Sequence, residues 1–278
     1  MNYRLLAHRQ LKGLKDLVHD MYEITTEAKG LEYSTAPNGI IGISVVVKGQ
    51  SSILINGQWQ KIPFVSIYGL AKRPDIIRIS GYFREIAIGF KPYFLQLLLK
   101  DSMANIISSG NVDARDVFNK LAVEILSEQL ALANNDFEIM RAVEGFIIQQ
   151  LNEAKVDNRL LAAMNLVYDE GHTRVDEIAS KINLSGTSVR NLFHEGIGRS
   201  PKDVITILRI NKILKVKPEE FSSLTELSYH CGFFDQAHFI HEFKMTMGMS
   251  PRQYFNHPKL AFDFYNFGRW EGNIFDEN

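Results

Sequence analysis

The chain has 278 residues, 45% hydrophobic and 23% charged, a length that favours two domains over one and a composition that excludes disorder and a small stapled scaffold. No run approaches the roughly 20 uninterrupted apolar residues of a membrane-spanning helix, and the start MNYRLLAHRQLKGLKDLVHD is broken by charges and lacks a signal-peptide core, so a cytoplasmic chain is expected. The single cysteine, Cys231, excludes an internal disulfide and a Cys-based zinc cluster, and a formal net charge of −1 excludes a bulk basic field for holding a polyanion.

After a short N-terminal helix, the chain reads as β-structure to about residue 90. Ile40–Lys48 is apolar and β-branched, Lys48-Gly49-Gln50 marks a turn into Ser51–Ile55, and Asn56-Gly57 is a hairpin signal before Trp59. Further strands are expected at Val65–Tyr68, Ile76–Ile79 and Tyr82–Phe90, which together suggest a sandwich or small barrel. From Pro92 the period changes. Tyr93–Leu99, Val112–Leu132 and Phe137–Leu151 carry apolar residues at helical spacing, with Asp113 and Asn135 as candidate caps. A polar boundary at Glu153–Asn158 precedes another helical run at Arg159–Tyr168.

Residues 175–255 contain an internal repeat. At an offset of 49, Val175 matches Leu224, Ile178 matches Leu227, Ala179 matches Ser228 and Leu184 matches Phe233. One residue is then gained. At the new offset of 50, Val189 matches Phe239, Phe193 matches Phe243, Gly198 matches Gly248, and Ser200-Pro201-Lys202 matches Ser250-Pro251-Arg252. Each copy parses as helix, turn, helix. Val175–Ile182 leads through Asn183, a residue tolerant of positive φ, to Ser185 capping Gly186–Glu195; Leu224–Cys231 leads through Gly232 to Asp235 capping Gln236–Met245. Val189, Leu192 and Phe193 form an apolar stripe in one second helix, Phe239 and Phe243 in the other. Thr187, Arg190, Asn191 and His194 lie opposite at i, i+3, i+4 and i+7. Such a helix fills a small core while its donor-rich face enters a major groove. The alternative is a solvated face of an ordinary bundle; duplication of the whole unit favours the groove.

The stretch Cys231-Gly232-Phe233-Phe234-Asp235-Gln236-Ala237-His238-Phe239, with Phe243 and Gly248-Met249-Ser250-Pro251-Arg252-Gln253-Tyr254, resembles the signature of the AraC/XylS family of bacterial transcription regulators. The resemblance covers roughly residues 158–257. It implies an all-α double helix-turn-helix joined by a long helix, here Pro201 to about Lys217, and a chain that binds double-stranded DNA, with RNA polymerase as a possible partner and activation the commoner behaviour. Its base-reading positions fall on Thr187, Arg190 and Asn191, and on Gln236, Ala237, His238 and His241. His241 and Ile240 depart from the pattern, since the family very often has arginine where His241 stands. Lys202 and Arg252, in the first turns after Ser-Pro, and His194 complete the candidate DNA-binding set. Charge is no guide here: residues 158–257 carry 12 Lys+Arg against 11 Asp+Glu, so contacts must come from placed groups.

The first half resembles the cupin-like N-terminal domains of the same regulators, through Asn38-Gly39 and Gly89-Phe90-Lys91-Pro92. The expected fold class is therefore α+β in two domains: 1–155, a small β-barrel or cupin-like sheet with helices that senses a small-molecule effector or self-associates as a homodimer, and 156–257, which binds DNA. An aromatic-rich tail, 258–278, is expected to dock on the protein or a partner. His8 and His19 are the only histidines of the first 157 residues and precede the expected strands, so neither a metal nor another cofactor is expected. No Walker loop, GxGxxG, GxSxG or HExxH occurs, and no enzyme is expected. The competing functions are a nucleic-acid enzyme that borrowed the module and an interaction module that has lost specific DNA binding. Trp59, Tyr68, Tyr82 and Phe83 are open between pocket and core, and Cys231 reads as a small buried apolar residue.

Overall fold

The computed structural model describes residues 2–6, 18–27, 30–91, 111–151, 157–168, 171, 174–214 and 221–255. Its first described residues form a strand, and residues 7–17 of the stretch expected to hold the N-terminal helix lie outside the described residues. β1 (Asn2–Leu5) pairs with β2 (Val18–Thr26), and β3 (Leu31–Thr35), β4 (Ile41–Ile55), β5 (Gln58–Lys61), β6 (Val65–Tyr68), β7 (Asp75–Phe90) and β8 (Val112–Asp113) follow. The sheet is antiparallel in the order β1-β2-β7-β4-β6-β8, with β3 added to β7 and β5 to β4. Four residues are too few for an alternating pattern to register, so it is pairing with β2 that makes Asn2–Leu5 a strand. His19 consequently lies inside β2, not ahead of the strands.

Two expected breaks are bends within long strands. Gly49 (φ 87°) and Gly81 (φ 72°) fall in the same interval of the β4–β7 ladder, where the register shifts between Lys48↔Arg84 and Gln50↔Ser80. A left-handed residue in each strand lets both change direction without ending, so β4 runs 15 residues and β7 runs 16. A side chain at position 49 would meet the Tyr82 carbonyl oxygen at 2.4 Å. Asn56-Gly57, by contrast, does reverse the chain between β4 and β5.

The bent sheet encloses a core of Ile24, Tyr33, Val46, Ile53, Ile77, Ile79 and Phe83. Its other face, with Ile41, Ile43, Val45, Ile86, Ile88 and Phe90, belongs to a larger core shared with α1 (Lys120–Leu132) and α2 (Asp136–Gln150). The expected helix Val112–Leu132 is divided: Val112–Asp113 pairs with β6, Asp113 caps a 3₁₀ turn at Ala114–Asp116, and α1 restarts at Lys120 under Asn119. Each of these side chains captures a nearby N–H and resets the backbone. Asn135 caps α2 as expected, accepting from the Glu138 N–H at 3.0 Å. The expected helix at Tyr93–Leu99, most of the polar boundary and the aromatic tail lie outside the described residues.

The C-terminal half is helical: α3 (Asn158–Tyr168), α4 (Val175–Lys181), α5 (Gly186–Ile197), α6 (Pro201–Leu214), α7 (Leu224–His230), α8 (Gln236–Met247) and α9 (Pro251–Phe255). The fold is therefore α+β, an antiparallel sheet followed by helices. α6 serves two cores. Val204 and Ile205 join the large cluster with Val189, Phe193 and Ile197, whereas Ile210, Ile213 and Leu214 join a separate cluster with Leu227, Phe239 and Phe243. Among the described residues no helix is long and apolar enough to cross a membrane.

Candidate nucleic-acid interface

The sequence repeat is reproduced bond for bond. In the first unit the N–H groups of Ile182, Asn183 and Leu184 donate to the carbonyls of Ile178, Ser180 and Ala179 at 3.1, 3.3 and 2.9 Å. Forty-nine residues on, Cys231, Gly232 and Phe233 donate to Leu227, Tyr229 and Ser228 at 3.1, 3.0 and 3.0 Å. Asn183 (φ 54°) and Gly232 (φ 82°) make the same left-handed turn. The residue gained in the second unit is Phe234, which is 84% exposed and adds nothing to the core. Ser185 then caps α5 through the Ser188 N–H at 3.1 Å, and Asp235 caps α8 through the His238 N–H at 2.7 Å. Both helices run 12 residues to a left-handed glycine, Gly198 or Gly248, whose N–H closes on the carbonyl four residues back at 2.9 Å.

These backbones fix the candidate residues. Val189 and Phe193 are fully buried, so the opposite face of α5 presents Thr187, Arg190, Asn191 and His194 to solvent together. In α8 the candidates divide. Ala237 and His241 are exposed, but Gln236 accepts a bond from the Thr225 hydroxyl at 2.8 Å. His238 is half-buried, its ring edge-on to Phe233 at 5.6 Å and its Nε2 3.6 Å from Glu242. Lys244, absent from the sequence-based set, is exposed and occupies in α8 the place of His194 in α5; the offset of 50 would have found it.

The two Ser-Pro elements also differ. Ser250 and Gln253 form a reciprocal box, the Gln253 N–H donating to Ser250 Oγ at 3.2 Å and the Ser250 N–H to Gln253 Oε1 at 2.9 Å, with Arg252 exposed in that turn. At the first element Ser200 accepts from the Asp203 N–H at 3.1 Å, but the Asp203 carboxylate faces the sheet and pairs with Lys72 at 2.8 Å. Lys202 remains 76% exposed with Glu242 of α8 at 3.7 Å. The adjoining Arg199 guanidinium donates twice to the Leu70 carbonyl, at 3.1 and 2.8 Å. Burial pulls that guanidinium below its ordinary value, partly opposed by Asp203. Asp203 is held below the usual carboxylate range because Lys72 and Ser200 outweigh its burial. The β6–β7 loop is thus clasped to the start of α6, and the Asn38-Gly39 turn lies beside it, its Gly39 carbonyl accepting from the Tyr168 hydroxyl at 2.7 Å.

Inside the sheet, a cavity of about 360 Å³ is lined by Tyr33, Ser44, Ser51, Tyr68 and Glu85, with Arg199 among its further lining residues. Ser44 donates to the buried Glu85 carboxyl, which burial holds above the ordinary range. Of the four aromatics left open, Tyr68 lines this cavity and Phe83 is core. Tyr82 lies under Lys48, and Trp59 stacks beneath Arg78 at 3.8 Å. Burial raises the Cys231 thiol to about 11, as befits a core residue. Among the described residues no group of three or more His, Cys, Asp or Glu side chains is placed to hold a metal.

Comparison with known proteins agrees with this geometry. A family model described as a helix-turn-helix domain matches residues 178–257. An HTH-type transcriptional regulator of Haemophilus influenzae is 22% identical over 193 residues, 65% of this chain, and the HTH-type transcriptional activator RhaS of Escherichia coli O157:H7 is 28% identical over 129 residues, 46% of this chain. The chain spans 63% and 44% of those two relatives' own lengths. The structure of ToxT from Vibrio cholerae is similar at 12% identity and a TM-score of 0.45, over 85% of this chain and 97% of that one. The duplicated unit, its paired Ser-Pro elements and the matched stretch agree: the C-terminal region of this chain is a helix-turn-helix domain, similar to those of the AraC/XylS type.

Proposed function

We propose that the chain is a sequence-specific DNA-binding transcription regulator that inserts α5 and α8 into successive major grooves and acts as an activator. The observation that carries this reading is the exposed polar face of α5, opposite a fully buried apolar stripe, in a unit that recurs at α8. At 1.5 Å per residue the 14 residues of α6 span about 21 Å, on the scale needed to offset two recognition helices along a duplex. Arg190 is assigned to guanine and Asn191 to adenine, with Thr187, His194, Ala237 and His241 beside them; Lys202 and Arg252 are assigned to phosphates. Gln236 and His238 reach bases after exchanging their present partners. Similarity to a protein named as an activator supports activation, and RNA polymerase is the partner this requires.

Residues 1–155 are assigned to effector sensing, 156–257 to DNA and 258–278 to a docking tail. The polar cavity inside the sheet favours a small-molecule effector over self-association as the role of the first unit. The test is selection of a duplex from a random-sequence library, followed by footprinting. Two protected major-groove segments about one helical turn apart are expected. Arg190→Ala should cost on the order of 1–3 kcal/mol on the selected duplex and relax selectivity at one base pair. Failure to enrich any sequence would overturn the reading in favour of an interaction module.

A further inference from the structure

The β6–β7 loop does more than clasp α6. Beyond Lys72 it carries Arg73 to the second helix-turn-helix unit, where Arg73, His241, Lys244, Met245 and Gly248 line an open groove of about 420 Å³. Among the described residues no carboxylate lines this groove. The acids of the flanking elements are engaged elsewhere: Asp203 with Lys72, Glu242 with Lys202 and His238, and Asp235 with the α8 cap. Arg73 stands between two openings: it lines this groove with Lys244, and it also borders the cavity inside the sheet, where Asp75 lies two residues further on. Two permanent cations and a histidine thus share one opening, with no counter-charge in its walls among the described residues.

Position decides which anion belongs there. His241 sits at the middle of α8 and Lys244, at i+3, in its C-terminal half, and Gly248 closes the helix. A recognition helix reads bases mainly through its N-terminal residues, and its flanks run along the phosphate backbone. We propose that Arg73, a residue of the sheet-bearing half, is a DNA-contacting residue: with Lys244 it clamps a backbone phosphodiester beside α8. The second recognition surface is thereby completed from outside the helix-turn-helix domain. This compensates for Ile240, which stands in α8 where α5 has Arg190. The inference rests on the DNA-binding reading above.

The test is the salt dependence of binding by the full chain, on the library-selected duplex and on an unrelated duplex of equal length. Arg73 is exposed, so its replacement leaves folding intact. Arg73→Ala should weaken binding to both duplexes alike and reduce the slope of log K against log salt by about 0.9. Between 50 and 200 mM salt, the variant should then lose about threefold to fourfold less affinity than the parent does. Arg73→Lys should retain the parental slope, and Lys120→Ala, at the exposed start of α1, should leave it unchanged. An unchanged slope in Arg73→Ala, an equal fall in Lys120→Ala, or a loss confined to the selected duplex would each overturn the clamp. If the parent binds neither duplex, the DNA-binding reading itself fails. If the parent binds and Arg190→Ala loses selectivity while Arg73→Ala behaves as the parent does, the clamp alone fails.

Discussion

Phe193 and Phe243 occupy equivalent places in the repeat, yet their removal should have unequal consequences. Both are fully buried, so truncation to alanine should cost roughly 3–5 kcal/mol at either position. Phe243 loses more by geometry, because its ring meets Phe239 at 5.7 Å and Tyr254 at 5.6 Å edge-on, pairs worth about 0.5–1.5 kcal/mol each beyond their area. Its cluster is largely confined to the second unit and the end of α6, with Ala36 as the contribution from the sheet side. Phe193 instead belongs to the cluster that runs through α1, α2 and the sheet. Phe243→Ala should therefore split thermal unfolding, melting residues 224–255 in a separate low-temperature step while the sheet stays protected from amide exchange. Phe193→Ala should lower the transition of the sheet and the first unit together. The reasoning is refuted if Phe193→Ala loosens only α4 and α5, or if Phe243→Ala depresses exchange protection throughout the chain.

Lys202→Ala should weaken binding to all duplexes alike, but with a smaller change of salt slope than a free phosphate ligand gives, since Glu242 at 3.7 Å already screens part of its charge; a slope change as large as that of Arg252→Ala would contradict this. Asn191→Asp should lower affinity for every duplex, whereas Asp176→Asn, on α4 rather than on the α5 face and already paired with Arg174 at 2.7 Å, should leave affinity unchanged; titrations showing equal and opposite effects would favour a bulk field over placed groups. Because burial raises the Glu85 carboxyl, its stabilising contribution is complete below the ordinary glutamate range and is lost as pH rises through the raised folded value. Glu85→Gln should accordingly flatten the fall in melting temperature across that window, and an unchanged pH profile would show that Glu85 does not titrate there.

The repeat could be read from sequence because helix-turn-helix units are local: their caps, turn residues and apolar spacings lie within 25 residues, and Asn183, Gly232, Ser185 and Asp235 take up the roles their side chains dictate. The sheet was less legible. Gly49 and Gly81 carry the same local signal whether the chain reverses or bends, and what decides between them is the partner strand each half of β4 and β7 finds. Asn119 took the helix start from Asp113 because Val112–Asp113 found an edge on β6. The site followed the same division. The face of α5 could be read residue by residue, but the Arg199–Leu70 clasp joins positions 129 apart, and Arg73 reaches α8 by that clasp and the Lys72–Asp203 pair. No periodicity could have placed it.

Net charge misleads for this protein because it counts acids without asking what they face. Within residues 158–257, Asp176 and Glu177 lie beside Arg174, Asp157 at the edge of that stretch holds Arg159, and Asp235 and Glu226 bond backbone N–H groups at helix starts. Asp203 turns toward the sheet, and Glu242 sits between Lys202 and His238. Each of these is placed where it caps, clasps or neutralises; the exposed Glu195 of α5 is the described acid that stays beside the face carrying Arg190 and His194, and none of the described acids lines the groove that holds Lys244, His241 and Arg73. Opposite charges separated in this way leave a cationic face on a nearly neutral domain. Coulomb interactions with phosphates fall off within a Debye length of about 8–10 Å, so it is that face, and not the sum over the chain, that a duplex meets.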